Sequence, residues 1–281
     1  MTKRNSRVFI AFAPANNNRV APIGRYLQAA GIHAELTPLV PAFDNLAALK
    51  SLFSSMKPGD VVIALLSPQL LDNSALAEAI TTTLVTEIDR RSIDLIPALI
   101  ATCDVPPPLH ERRIIDLAAD FSAGMSLIET EIAGYKNIDF TTLTLRKFEQ
   151  LTRDFLEAYG FRIREHSYGV SSYDFRADHN SVDPFGAPEI TSWLVETKLY
   201  EREGRVTVHT VQRLLMDLVG KRSRGLLVTN GQLTSPTREY LNEYSFSMGI
   251  WVRVIEGPEL RRLLVGKPDI VSKFFPTADK K

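Results

Sequence analysis

The sequence predicts an α/β protein built from two modules. Three observations carry this. Buried-type strands alternate with helices of crossover length through the first 130 residues. The chain changes character at about residues 133–146. A second series of strands and helices follows, and one of its apolar strands carries charge. A length of 281 residues suits two modest domains. Apolar residues at 44% and charged residues at 23% are ordinary for a folded soluble chain.

The elements of the first half follow in order. Arg7 to Ala13 reads as a buried strand stopped by Pro14. Ala15 to Val20, with Asn16, Asn17 and Asn18 in series, reads as a polar loop. Ile23, Tyr26, Leu27 and Ala30 then repeat at helical spacing up to Gly31. His33 to Leu36 is a short strand. Leu46 to Met56 is a helix, and Pro58-Gly59-Asp60 a turn. Val61 to Leu66 is a continuous apolar run, the pattern of a parallel strand covered on both faces. Ser74 to Asp89 is a helix, Ile93 to Ile100 a strand broken by Pro97, and Ile114 to Leu117 a last strand. Strands spaced by helices imply right-handed crossovers and a parallel sheet.

Ala133 to Asn137 reads as a linker, giving domains of about 1–132 and 145–281. Leu145 to Tyr159 is a helix whose apolar stripe is Phe148, Leu151, Phe155 and Leu156. Strands follow at Phe161–Glu165, Tyr173–Ala177 and Ser192–Leu199. Next come a helix at Val208–Val219, a strand at Gly225–Thr229, a helix at Ser235–Tyr244 and a strand at Ile250–Ile255. A short helix, Gly257–Leu264, closes the module, and Pro276 to Lys281 reads as a frayed end.

Composition narrows the function. The 33 basic and 33 acidic residues exclude a polycation. Residues 1–140 hold 12 Lys and Arg against 15 Asp and Glu, and the remainder 21 against 18. That balance permits nucleic-acid binding by the second half without demanding it. A single cysteine, Cys103, excludes an intrachain disulfide and a cysteine zinc framework. No apolar run approaches the ~20 residues of a membrane span. The expectation is a cytoplasmic chain with no membrane partner.

The chemistry concentrates in the second half. Asp174 precedes Glu196-Thr197-Lys198 by 22 positions. Residues two apart on a strand share a face, so Glu196 and Lys198 point one way and Val195 and Thr197 the other. A carboxylate and an ammonium have little reason to share a face of an apolar strand unless they form a site. Asp174 and Glu196 supply the hard oxygens that Mg²⁺ or Mn²⁺ prefers. Lys198 can orient a water or offset charge developing on a phosphate. The plainer alternative is an edge strand whose Glu196 and Lys198 form an ordinary surface pair. His166, His179 and His209 are scattered and read as surface residues. Tyr168 and Tyr173 read as packing residues, with base stacking as the alternative.

The span from Leu145 to Leu264 resembles the Mrr-type branch of the PD-(D/E)xK restriction-endonuclease superfamily. Four segments carry the resemblance: Lys147-Phe148-Glu149-Gln150-Leu151 through Tyr159-Gly160-Phe161; Tyr173-Asp174-Phe175; Leu194-Val195-Glu196-Thr197-Lys198; and Gly225 to Gly231 followed by Ser235. The resemblance implies an α/β domain with a mixed central sheet, DNA as partner, and metal ligands at Asp174 and Glu196. It also implies a catalytic Lys198, an outer or water-mediated ligand at Glu149, and Gln212 lining the cleft. The sequence departs from the pattern where many members carry a Gly-rich stretch before the Asp, and Gln in place of Glu196. The insert from Asp178 to Thr191 is unusual and makes Asp178, or Asp183, a rival ligand.

Residues 6–125 resemble a bacterial-type TIR domain. The residues that carry this are the opening strand Arg7–Phe12, Val61 to Ser67-Pro68, and Leu95-Ile96-Pro97-Ala98-Leu99-Ile100 with Cys103 to Pro106. The resemblance implies a flavodoxin-like parallel sheet and either self-association, as a homodimer or larger, or hydrolysis of NAD⁺. The NAD-cleaving members use a Glu on the helix after the Ser-Pro strand. Here Ala79 aligns with that position, Glu78 stands beside it, and Glu87 lies two turns on. The favoured reading is a sensing or assembling TIR domain, open to a nucleotide-derived signal, that controls a nuclease of antiviral defence. The rivals are an NAD⁺ hydrolase acting through Glu78 with a DNA-binding second domain, and a non-enzymatic DNA-binding scaffold.

Overall fold

The computed structural model describes residues 7–39, 53–71, 81–82, 84–86, 88, 91, 93–110, 112–166, 173–201 and 204–276. The chain divides into two compact units, Met1–Lys136 and Asn137–Lys281.

In the first unit, β1 (Val8–Phe12), β2 (Ala34–Pro38), β3 (Val61–Leu66), β4 (Asp94–Leu99) and β5 (Ile115–Asp116) form one sheet in the order β2-β1-β3-β4-β5. All four pairings are parallel. This is the flavodoxin-like order, with the chain reversing direction across the sheet between β1 and β3. Every residue of β1 and β3 is buried, which explains their unbroken apolar runs. Asp60 ties the starts of β1 and β3 together. Its carboxylate accepts from the amides of Arg7 and Lys57 and from the Arg7 guanidinium.

Three local readings are corrected here. Helix α1 (Asn17–Ala29) starts inside the asparagine run read as a loop and carries Pro22 inside it, where the Asn18 carbonyl loses its helical N–H partner. Pro97 does not break β4. It pairs with Ala64, and β5 joins only at Ala98 and Leu99. The expected linker is the end of a helix, α3 (Phe121–Asn137), with Tyr135 buried. A short helix, α2 (Pro68–Leu71), follows β3. Most of the helices read at 46–56 and 74–89 falls outside the described residues. So do Glu78, Ala79 and Glu87.

The second unit opens with α4 (Leu145–Ala158), capped by Thr144, whose hydroxyl accepts from the Lys147 amide. The sheet holds β6 (Phe161–His166), β7 (Phe175–Val182), β8 (Pro188–Lys198), β10 (Arg224–Thr229) and β12 (Val252–Ile255). Its order is β12-β10-β8-β7-β6. The β6–β7 and β7–β8 pairs are antiparallel, and β8–β10 and β10–β12 are parallel, so the sheet is mixed. Between these lie β9 (Arg205–Val206), α5 (Val208–Leu218), β11 (Gln232–Leu233) and α6 (Ser235–Met248). After β12 come α7 (Gly257–Val265) and α8 (Pro268–Phe274), the last not anticipated from the sequence.

Alternation on β8 splits the core in two. Trp193 and Val195 pack with Phe148, Leu151 and Phe155 of α4. Leu194 packs on the other face with Val211, Leu214, Leu215 and Leu218 of α5. Each fully buried side chain of this size contributes roughly 1.5–3 kcal/mol. The sheet is thus held rigidly from both sides along the strand that carries the charges.

Candidate active site

Strand β8 lies at the centre of its sheet, between β7 and β10. Glu196 is opposite Leu227 of β10 and is only 6% exposed. The edge-strand reading of Glu196 and Lys198 therefore does not hold. Lys198, two residues on and on the same face, forms an ion pair with Glu196 through its Nζ.

Asp174 sits just before β7, and its amide donates to the Val195 carbonyl at 2.8 Å. One carboxylate oxygen, Oδ2, accepts from both the amide and the hydroxyl of Thr197, each at 2.6 Å. Thr197 is buried between the two charged residues of the strand, so it fixes Asp174 beside them. Burial pushes the Glu196 carboxyl up to about 7. The Asp174 charge pushes in the same direction, while Lys198 and Arg213 of α5 oppose it. Glu196, raised by burial and by the neighbouring Asp174 charge, together with Asp174 makes an acceptor-rich pocket of hard oxygens. That donor set fits a hard divalent cation, which would relieve both the burial and the repulsion. Among the described residues, no group of three or more His, Cys, Asp and Glu side chains is placed to hold a metal. The donors the strands bring together are the pair Asp174 and Glu196.

The remaining candidates are placed as follows. Glu149 lies partly buried on α4, next to the fully buried Phe148. Gln212 lies on α5, and the neighbouring Arg213 is the residue of that helix whose charge reaches Glu196. Asp178 is held elsewhere. Ser192 donates to its Oδ1 at 2.7 Å and Arg164 to its Oδ2 at 2.9 Å. The Ser192 hydrogen bond first, with Arg164, holds its carboxyl below the usual range. Asp183 caps a turn, accepting from the amides of Phe185 and Ala187.

The end of the site is shaped by the Thr229-Asn230-Gly231 corner. The Asn230 amide donates to the Tyr200 carbonyl, and its oxygen accepts from the Tyr200 amide, both at 2.8 Å. A Cβ on Gly231 would lie 2.5 Å from the Gly204 carbonyl oxygen. The corner thus clamps the chain as it leaves β8.

Residues 140–264 match the family model described as a restriction endonuclease, of the Mrr catalytic type, and residues 8–128 match the model described as a TIR domain. The chain joins a TIR domain to an Mrr-type restriction-endonuclease domain. Similar solved structures include the DNA modification-dependent restriction endonuclease AspBHI. It is 16% identical over 53% of this chain and 38% of that one, with a TM-score of 0.38. EndoMS in its apo form is 22% identical over 38% and 45% of the two chains, with a TM-score of 0.23. A metazoan TIR-STING receptor from C. gigas is 12% identical over 97% and 98%, with a TM-score of 0.32. The chain spans less than two thirds of the length of the two nuclease structures. No curated protein matches it. The match to the endonuclease family supports a nuclease. No helix among the described residues is long and apolar enough to cross a membrane.

In the endonuclease domain, two residues near the site went unread in the sequence. Thr197 was visible as the middle of Glu-Thr-Lys, but its parity assigned it to the opposite face. It reaches Asp174 because that residue sits at the strand's start, where the carboxylate turns back onto the Thr197 amide. Arg213 gave no local signal, since its approach to Glu196 depends on how α5 packs across β8.

Proposed function

We propose that the endonuclease domain is a Mg²⁺- or Mn²⁺-dependent DNA endonuclease of the PD-(D/E)xK type. Asp174 and Glu196 hold the cation and Lys198 is the catalytic lysine. The observation that carries this reading is the convergence of Asp174, Glu196 and Lys198 at one end of a central strand, with the Glu196 carboxyl raised by burial and by Asp174.

When bound, the cation would neutralise a scissile phosphodiester and lower the pKa of the attacking water. The chain's own residues do the rest. Thr197 pins one oxygen of Asp174 and so presents the carboxylate in a fixed orientation. Lys198, held by Glu196, orients the water or offsets charge growing on the phosphate. Arg213 adds a second positive charge on the α5 side. Glu149 and Gln212 are outer residues of the same cleft.

The TIR domain assembles copies of the chain or senses a nucleotide-derived signal, and so governs cleavage, as an effector of prokaryotic antiviral defence. Plasmid cleavage by the intact chain, with Mg²⁺ and with chelator, tests the first part. Loss of cutting in both Glu196→Ala and Lys198→Ala, with unchanged circular dichroism, supports it. Retained cutting in both sinks the site. No cutting by the parent chain, with NAD⁺ consumed instead, transfers the activity to the TIR domain.

A further inference from the structure

Beyond the last paired residues of the central strands, Lys198 of β8 and Thr229 of β10, the chain builds a second, two-stranded ladder. β9 and β11 pair in parallel, with Arg205 opposite Gln232 and Val206 opposite Leu233. Several hydrogen bonds fix this ladder to the end of the domain. The Gln232 amide donates to the Gly204 carbonyl at 3.0 Å, and the Gly257 amide to the Gly231 carbonyl at 2.9 Å. The Thr237 hydroxyl donates to the Val206 carbonyl at 3.0 Å. The Asn230–Tyr200 clamp holds the chain just before it. Val206 and Leu233 are buried in the core that β8 and β10 share with α5 and α6. Opposed residues of a ladder share a face and successive residues alternate, so Arg205 and Gln232 both turn away from that core. Arg205 is exposed, and its Nη1 donates to the Gln232 Oε1 at 3.1 Å.

The pair belongs to the same rim of the domain as Lys198. Helix α5 starts three residues after Arg205 and carries Arg213, whose charge acts on Glu196. His209 lies one turn before Arg213 on the same side of that helix, and both are exposed. The ladder therefore adjoins the end of α5 that approaches the site. Its chemistry is that of base recognition. A guanidinium presents five donors in a planar fork, and one amide oxygen occupies only part of it. The O6 and N7 of guanine are two acceptors spaced for such a fork, and an arginine on them is the commonest specific contact in the major groove. Gln232, with its oxygen bonded to Arg205, sets the plane of the guanidinium on which a bidentate contact depends.

We propose that Arg205, held in orientation by Gln232, reads a guanine in the DNA that the endonuclease domain engages. The proposal rests on the nuclease reading above and adds a sequence preference to it. Arg205 determines specificity and Gln232 positions it. Neither takes part in the chemistry at Asp174, Glu196 and Lys198.

Selection from a library of short duplexes with a randomised centre tests it without any cleavage. The full-length chain carrying Lys198→Ala binds the library in Mg²⁺, and the bound duplexes are sequenced. They should be enriched in guanine at one position. Adding Arg205→Ala should lower that enrichment at least about fivefold, the scale of one bidentate contact. Arg205→Lys keeps the charge but not the fork, so it should lose the preference while keeping the salt dependence of binding. Gln232→Ala should weaken the preference, and Gln232→Glu, which keeps an acceptor for Arg205, should restore it. The proposal fails if the library yields no guanine enrichment, or if Arg205→Ala leaves it unchanged. Equal weakening on every sequence, with a shallower salt slope, would make Arg205 a phosphate contact and overturn it as well. Plasmid cutting by the chain with Lys198 intact is scored separately. Guanine selection without cutting removes the nuclease reading and upholds Arg205 as a reader of bound DNA. Cutting without guanine selection removes the reader and upholds the nuclease.

Discussion

Lys198 caps the carboxylate of Glu196 from the same face of β8, two residues along a strand whose Trp193–Thr197 stretch is buried on both sides. Glu196 is the more buried partner, so the pair is asymmetric: losing the lysine leaves a carboxylate in the sheet with its main counter-charge gone. Lys198→Ala should reduce cleavage by at least about 100-fold, the scale of removing a positioned proton-transfer or charge-stabilising group. It should also lower stability by about 1–2 kcal/mol, less than a fully buried pair because Lys198 is about one-third exposed. Steady-state cleavage and urea unfolding read the two effects separately.

The Glu196 carboxyl is raised to about 7 by burial and by Asp174. The folded chain therefore holds this proton more tightly than the unfolded chain, where a Glu titrates near about 4.3. The resulting stabilisation is complete below the unfolded value and is lost as pH rises through about 7. In chelator, Glu196→Gln should flatten that dependence, gaining on the order of 2–3 kcal/mol over the parent at pH 8 relative to pH 4. Cation binding should release about one proton at pH 6 and almost none at pH 8.5. Titration calorimetry in buffers of different ionisation enthalpy measures this, and equal proton release at both pH values would remove Glu196 from the ligand set.

Thr197 donates twice to one oxygen of Asp174, through its amide and its hydroxyl. Thr197→Val keeps the shape and the amide bond but deletes the hydroxyl bond. The expected result is a cation affinity weakened about 10-fold or more, as for other residues that orient a ligand, with a loss of about 1 kcal/mol in stability. Thr197→Ser should restore affinity. Magnesium titration of cleavage distinguishes this from a folding defect, because excess cation rescues the valine variant.

Much of this was legible in the residues, and what was not has physical causes. The parallel sheet of the TIR domain follows from unbroken apolar runs such as Val61–Leu66, and the α4 stripe from Phe148, Leu151 and Phe155. The shared face of Glu196 and Lys198 follows from strand parity alone. Pro97 misled because proline is read locally as a strand breaker, whereas its tolerance depends on where β5 begins to pair. Ala133 to Asn137 misled because glycine and asparagine suggest a break, while burial of Tyr135 carries the helix through. The insert from Asp178 to Thr191, read as a source of rival ligands, instead continues the β7–β8 ladder, with the Asp178 carboxylate bonded to Ser192 and Arg164.

Gly231 is a position of sharp backbone crowding near the site. A Cβ there would meet the Gly204 carbonyl oxygen at 2.5 Å and the Tyr200 ring at 3.0 Å. The first contact is with backbone and cannot be relieved by a side-chain rotation. Gly231→Ala should therefore displace Gly204 and Tyr200 and cost about 1–3 kcal/mol. Asn230→Ala releases Tyr200 by another route, removing both hydrogen bonds to it without introducing a clash. If the clamp serves to hold the end of β8, the two substitutions should depress cleavage by similar factors, and combining them should cost little more than either alone. Additive losses in a double-mutant cycle would show that Gly231 and Asn230 act on separate features.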